Sequence, residues 1–203
     1  MDFADMILRS SPPSPFGRKV KIAAHLLGII DQIEIVRTDT TADDDPIRGL
    51  NPLGKIPALE LDDGRVLYDS RVIIEYLDHL TGGGMLIPVD PVERFDALTG
   101  QALADGLMDA ALLQIYEVRM RDESERSAKW LALQAGKVKR ALAHLEAAPP
   151  PAVPNVFSVA TACALGYLDL RFEGAWRKDH PTLVQWLDAF AATTPAFGAT
   201  RAH

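Results

Sequence analysis

The chain has 203 residues, 48% of them apolar and 24% charged, with a formal net charge of −7. This composition suits one large or two small soluble domains, and the acidic balance argues against nucleic acid and anionic membrane surfaces, which call for clustered Lys and Arg. No run approaches the roughly 20 apolar residues of a spanning helix, and a single cysteine, Cys163, excludes an internal disulfide framework and a Cys-rich metal site.

The acidic start Met1-Asp2-Phe3-Ala4-Asp5 lacks a cationic n-region, so no secretory signal and a cytoplasmic location are expected. Met6 to Arg9 reads as a strand. Ser10 to Pro15, with three prolines and three serines, reads as a loop. Val20, Ala23, Ala24 and Leu27 recur at helical spacing, and Gly28 then stops the helix. Ile33 to Val36 alternates like a strand. Residues 39–51 are polar, and Asp43-Asp44-Asp45 there reads as a solvated loop. Pro57 to Leu61 and Arg65 to Tyr68 flank Asp62-Asp63-Gly64, a hairpin signal. Ser70 to Leu80 returns to helical spacing. Residues 6–80 thus read β-α-β, hairpin, helix: a small mixed α/β domain of thioredoxin size, whose first two strands are parallel because a helical crossover joins them.

Residues 82–90 read as a linker, and strand signals then vanish. Helices are expected from Pro91 to about Arg121, Glu123 to Ala147, Val156 to Phe172 and His180 to Thr193. Asn155 or Ser158 could cap the third, with Thr161 standing where a capping box prefers Glu or Gln. The expected division is 1–81 for the first domain, 82–90 for the linker and 91–203 for an all-helical domain.

Three pieces carry chemistry. Ser14-Pro15 opens the first helix as an N-cap with Pro at N1. A helix start also offers unpaired N–H groups and a positive dipole end, so a hydroxyl there can donate to a sulfur anion. Lowering a thiol pKa from about 8.5 by two units takes about 2.7 kcal/mol, which one charge-assisted hydrogen bond of about 1.5–3 kcal/mol and a small dipole contribution supply. Ile56-Pro57 opens a strand; with a cis bond, the Ile56 backbone can pair with an extended peptide. Asp69-Ser70 caps the next helix, and a hydroxyl beside a carboxylate suits the carboxylate and ammonium of an amino-acid head.

Together these pieces resemble the soluble glutathione transferases, bacterial members above all. Ser14-Pro15-Phe16-Gly17, Asn51 to Pro57, Tyr68-Asp69-Ser70-Arg71 and the stretch from His180-Pro181 through Trp186 to Phe197 carry the resemblance, which covers nearly the whole chain. It implies an α/β plus all-α fold, a thioredoxin-like domain followed by a helical domain. It also implies glutathione as co-substrate, a small electrophile as second substrate, and a homodimer. Ser14 takes the thiol-activating place, with Ser11 as rival; Pro15 and Arg18 at matching spacing favour Ser14. Ile56 and Pro57 meet the cysteinyl unit, Asp69 and Ser70 the γ-glutamyl end, and Lys55 the glycyl carboxylate. Arg18 is expected to pair within the fold.

Position 14 holds no cysteine, which disfavours mixed-disulfide chemistry, and Cys163 reads as a packed small residue. Thr161 replaces the Asp usual in the family's capping box. An apolar electrophile subsite is expected from Pro12, Pro13 and Phe16 on one side and Met108, Leu112 and Tyr116 on the other. Asp105 and Asp109 read as a solvated or interface face. The five histidines show no ligand spacing, so no metal is expected. The expected activity is attack of the glutathione thiolate on a small hydrophobic electrophile. The alternatives are a glutathione-dependent isomerase or dehalogenase and a non-catalytic interaction module.

Overall fold

A computed structural model describes residues 6–202; the acidic start at 1–5 and His203 lie outside them. The chain divides into two units, one running to Arg94 and resumed from Thr194 onward, the other Phe95–Thr193.

The first unit has the thioredoxin-like order. Strand β1 (Met6–Ser10) leads into helix α1 (Pro15–Leu26), strand β2 (Ile33–Arg37), a short helix α2 (Ile47–Leu50), the hairpin β3 (Ala58–Glu60) and β4 (Val66–Leu67), and helix α3 (Ser70–Leu80). The sheet order is β2-β1-β3-β4; β1 runs parallel to β2 and antiparallel to β3. Leu8 and Leu59 on the two inner strands are fully buried, as are Val20 of α1 and Ile73, Ile74 and Leu77 of α3. Helix α1 ends where Gly28 takes φ +72°: its N–H donates to the His25 carbonyl, and the Ile29 N–H to that of Ala24. This double closure needs a left-handed residue, which only glycine supplies without steric penalty.

Helix α2, in the stretch read as polar loop, was not expected. It is one turn long, and its apolar anchor is the buried Ile47. The segment after α3 is pinned: the buried Asp78 carboxylate accepts the backbone N–H groups of Gly84, Met85, Leu86 and Ile87. Buried N–H groups in an irregular segment require partners, and one side chain supplies four.

The second unit is helical. Helix α4 (Pro91–Arg119) enters it, followed by α5 (Ala128–Ala147), α6 (Val156–Phe172) and α7 (Pro181–Thr193). One expected boundary is corrected, and one cap that the sequence left open is decided. Helix α5 begins at Ala128, not Glu123, because Ser127 caps it through the Trp130 N–H while Arg126 turns back to the Val118 and Arg121 carbonyls. Helix α6 is capped by Asn155 with Ser158 at N3 in a reciprocal box, so Thr161 is no cap; it lies buried in the helix interior. Helix α6 is apolar around its whole girth, and Cys163 within it is fully buried as expected.

A last short helix, α8 (Pro195–Ala199), belongs to the first unit rather than to the helical one. Arg18 of α1 holds it. Its Nη2 donates to the Phe197 carbonyl at 2.5 Å, its Nε to Thr200 Oγ1 at 3.3 Å, and its guanidinium stacks 4.1 Å from the Phe197 ring centre. The expectation that Arg18 pairs within the fold holds. Among the described residues, no helix is long and apolar enough to cross a membrane.

Candidate functional site

Sheet register brings the three sequence pieces to one place. Arg9 lies opposite Ala58, and Leu59 opposite Leu67. The segments that follow Arg9, precede Ala58 and follow Leu67 leave the sheet at the same end. The loop after β1, the turn before β3 and the start of α3 therefore meet at one end of the sheet. The N-termini of α1 and α3 open there, and both favour an anion.

Ser14 is extended (φ −73°, ψ 116°) and caps α1; its Oγ accepts the Gly17 N–H at 3.1 Å. That bond uses the oxygen and leaves the hydroxyl hydrogen to donate. The Ser14 N–H closes the loop onto the Ser11 carbonyl at 3.0 Å. Among the described residues, the Ser11 hydroxyl and the Phe16 N–H have no partner within the chain. Beneath the loop, the Ser10 Oγ is buried and unpartnered, packed so tightly on α1 that a Cβ at Gly17 would fall 2.1 Å from it. The sequence reading put Ser10 in the loop and gave it no role at the site, whereas it ends β1; glycine in the first turn of a helix was its one signal.

The Ile56–Pro57 peptide bond is cis. The buried Asn51 shapes the turn before it: its amide donates to the Lys55 carbonyl at 2.8 Å and its Oδ1 accepts the Leu53 N–H at 3.0 Å. Among the described residues, the Ile56 N–H and carbonyl have no partner within the chain, and the Lys55 side chain stands exposed.

Asp69 caps α3 by accepting the Arg71 N–H at 3.0 Å, and its carboxylate also takes the Arg71 guanidinium, Nη2 to Oδ2 at 2.8 Å. Its peptide bond to Tyr68 is cis as well. Desolvation pushes the Asp69 carboxyl up, but the Arg71 hydrogen bonds, with the charges of Arg71 and Lys19, outweigh it and hold the group below the usual carboxylate range. The carboxylate is therefore charged at neutral pH and keeps lone pairs for a second cation. Among the described residues, neither the N–H nor the hydroxyl of the buried Ser70 has a partner within the chain.

The residues read as an electrophile subsite differ in exposure. Pro13 and Phe16 are part-exposed in the first unit. On α4, Tyr116 is 38% exposed and Leu112 partly so, but Met108 is fully buried, a core residue with no surface to offer. Asp105 and Asp109 do not share a solvated face, since Asp105 is buried. The helical unit has a cleft of about 530 Å³ walled by Leu113, Tyr116, Met120 and Trp130, with Glu117 and Arg121 at its polar side. Glu117 Oε1 accepts the Ser127 N–H at 2.8 Å, and Oε2 meets Arg121 Nε at 3.1 Å.

A family model for the glutathione S-transferase N-terminal domain matches residues 13–80. The GST-like protein YibF of Escherichia coli is 33% identical, over 94% of this chain and 98% of its own. A probable maleylacetoacetate isomerase of Drosophila melanogaster is 28% identical, over 94% of this chain and 81% of its own. Among solved structures, a glutathione transferase family member from Pseudomonas fluorescens with bound glutathione superposes with a TM-score of 0.88 at 41% identity, covering 98% of this chain and 99% of the other. The same protein has also been solved with bound S-(propanoic acid)-glutathione, at a TM-score of 0.85.

Proposed function

The chain belongs to the glutathione S-transferase family, and from that premise we propose that it ionises the thiol of glutathione at the start of α1 and directs it at a small electrophile. The observation that carries this reading is the convergence of three groups of unused hydrogen-bonding atoms at one sheet end. Those atoms are the Ser14 hydroxyl hydrogen with the Phe16 N–H, the Ile56 backbone, and Ser70 beside the charged Asp69. An extended tripeptide with a carboxylate, an ammonium and a central thiol needs that set. Ile56 and Pro57 serve its cysteinyl unit, Ser70 the γ-glutamyl carboxylate, Asp69 the ammonium, and Lys55 the glycyl carboxylate.

The chemistry follows from the donor. Ser14 donates far more strongly to an anionic sulfur than to a neutral thiol, so the bond favours loss of the thiol proton to solvent. The thiolate then attacks carbon: a sulfur–carbon bond forms, and a halide or equivalent leaves with the electron pair of the bond that breaks. The relative with bound S-(propanoic acid)-glutathione supports S-alkylation as the outcome.

The likeness to a probable maleylacetoacetate isomerase favours a second reading. There the same thiolate adds to a double bond and is expelled after rotation, so glutathione is not consumed. Retention on immobilised glutathione, followed by turnover of a chlorinated nitrobenzene with glutathione consumption counted per product, tests both. One glutathione per product supports the transferase, and turnover without consumption the isomerase. Neither retention nor turnover would leave an interaction module.

A further inference from the structure

Two features beneath the loop after β1 run against local preference, and they touch. Gly17 stands in the first turn of α1 with no positive φ to call for it, where alanine would favour the helix more. The Ser10 hydroxyl is buried with no hydrogen-bond partner among the described residues, although burial of a polar group ordinarily demands one. A Cβ at Gly17 would stand 2.1 Å from Ser10 Oγ, 3.2 Å from Ser10 Cβ and 3.5 Å from Ser14 Oγ. The side chain that Gly17 lacks is therefore the space that the Ser10 hydroxyl fills.

Both sides of this contact are anchored. Ser10 ends β1 opposite Arg37, and its carbonyl accepts the Thr38 N–H at 2.9 Å, so the sheet fixes it. Arg18, the next residue of α1 after Gly17, is tied to the Phe197 carbonyl and ring. Between these anchors the Gly17 N–H donates to Ser14 Oγ at 3.1 Å, and so occupies one lone pair of the hydroxyl that thiol activation uses. How closely Gly17 seats on Ser10 sets where that N–H stands, and with it how the Ser14 oxygen is held. Misplacing a reacting group by about 1 Å can cost about a hundred-fold in rate.

We propose that Gly17, seated on the buried Ser10 hydroxyl, is a positioning residue that aims the Ser14 hydroxyl at the glutathione sulfur. The inference rests on the thiol-activation reading. Its test, on the full chain, titrates the bound thiol by ultraviolet difference and measures glutathione affinity calorimetrically. Gly17→Ala should lower the acid dissociation constant of the bound thiol about ten-fold or more, with affinity within about three-fold of native because the ligand's ends are held elsewhere. Adding Ser10→Ala removes the obstructing oxygen and leaves its Cβ at 3.2 Å, so the double variant should return to within about three-fold of native acidity. If Gly17→Ala does not fold, Ser10→Thr decides. It suits a strand and adds one methyl to the same buried contact, so acidity should fall about three-fold or more with affinity kept. Native acidity in the deciding variant, affinity lost in step with acidity, or a loss that Ser10→Ala does not restore would overturn the proposal. A native complex whose thiol titrates like free glutathione would overturn thiol activation itself, and this proposal with it. A shifted native thiol that these variants leave unmoved would overturn this proposal alone.

Discussion

Ser14→Ala removes two interactions at once, and the two can be measured apart. The first is the cap, the Gly17 N–H on Ser14 Oγ at 3.1 Å, whose loss should lower stability by about 1 kcal/mol. The second is the donor to sulfur. A charge-assisted bond of about 1.5–3 kcal/mol corresponds to about one to two pKa units of the bound thiol. The native bound thiol is already mostly ionised near neutral pH, so the thiolate fraction there, and turnover with it, should fall about three- to twenty-five-fold, while glutathione affinity changes little because its ends are held elsewhere. Ultraviolet difference titration of the complex reads the acidity, and urea unfolding reads the cap. Ser14→Asp separates them: a carboxylate still accepts the Gly17 N–H, so stability returns, but its charge opposes the thiolate and acidity does not. Unchanged thiol acidity in Ser14→Ala would refute the assignment. The same loss appearing in Ser11→Ala instead would move the role to Ser11, whose hydroxyl has no competing bond.

Asp78→Ala strips four backbone N–H groups of their acceptor, two of them on the buried Leu86 and Ile87, and should lower stability by about 3 kcal/mol or more in urea unfolding. Arg18→Lys loses the two-pronged bond and the stacking on Phe197, so amide exchange should quicken over residues 195–200 with little change elsewhere. Glu146 caps α7 from α5 by accepting the Thr182 and Leu183 N–H groups, each at 2.9 Å. Desolvation raises its carboxyl, but these bonds and nearby His180 outweigh it, so the folded group titrates below its ordinary value of 4.5. Its contribution is therefore full above that pH and lost as pH falls through the lower folded value. The stability gap between native chain and Glu146→Gln should shrink below about pH 4.5; a gap that stays constant would show that the carboxylate charge does not matter there.

Much of the candidate site was legible because its parts are local. An N-cap, the proline after it and the helix it opens lie within four residues of one another, so Ser14 and Asp69 announce α1 and α3 directly. Asp62-Asp63-Gly64 fixes the hairpin, and Gly28 the end of α1, by turn chemistry that needs no distant partner. Where two local signals competed, as with Ser158 and Asn155, the pattern alone did not choose; the reciprocal Asn155–Ser158 bonds did.

Tertiary structure decided the rest. Arg18 finds Phe197 across 179 residues, and that contact, not helix pattern, puts α8 with the first unit. Ladder register brings the segments after Arg9, before Ala58 and after Leu67 to one sheet end, and close packing at Gly17 buries the Ser10 hydroxyl under the loop. Caps and turns are encoded within a few residues because their bonds close within one turn of chain. Contacts between distant segments follow from how apolar faces pack, and no short window of residues holds that information.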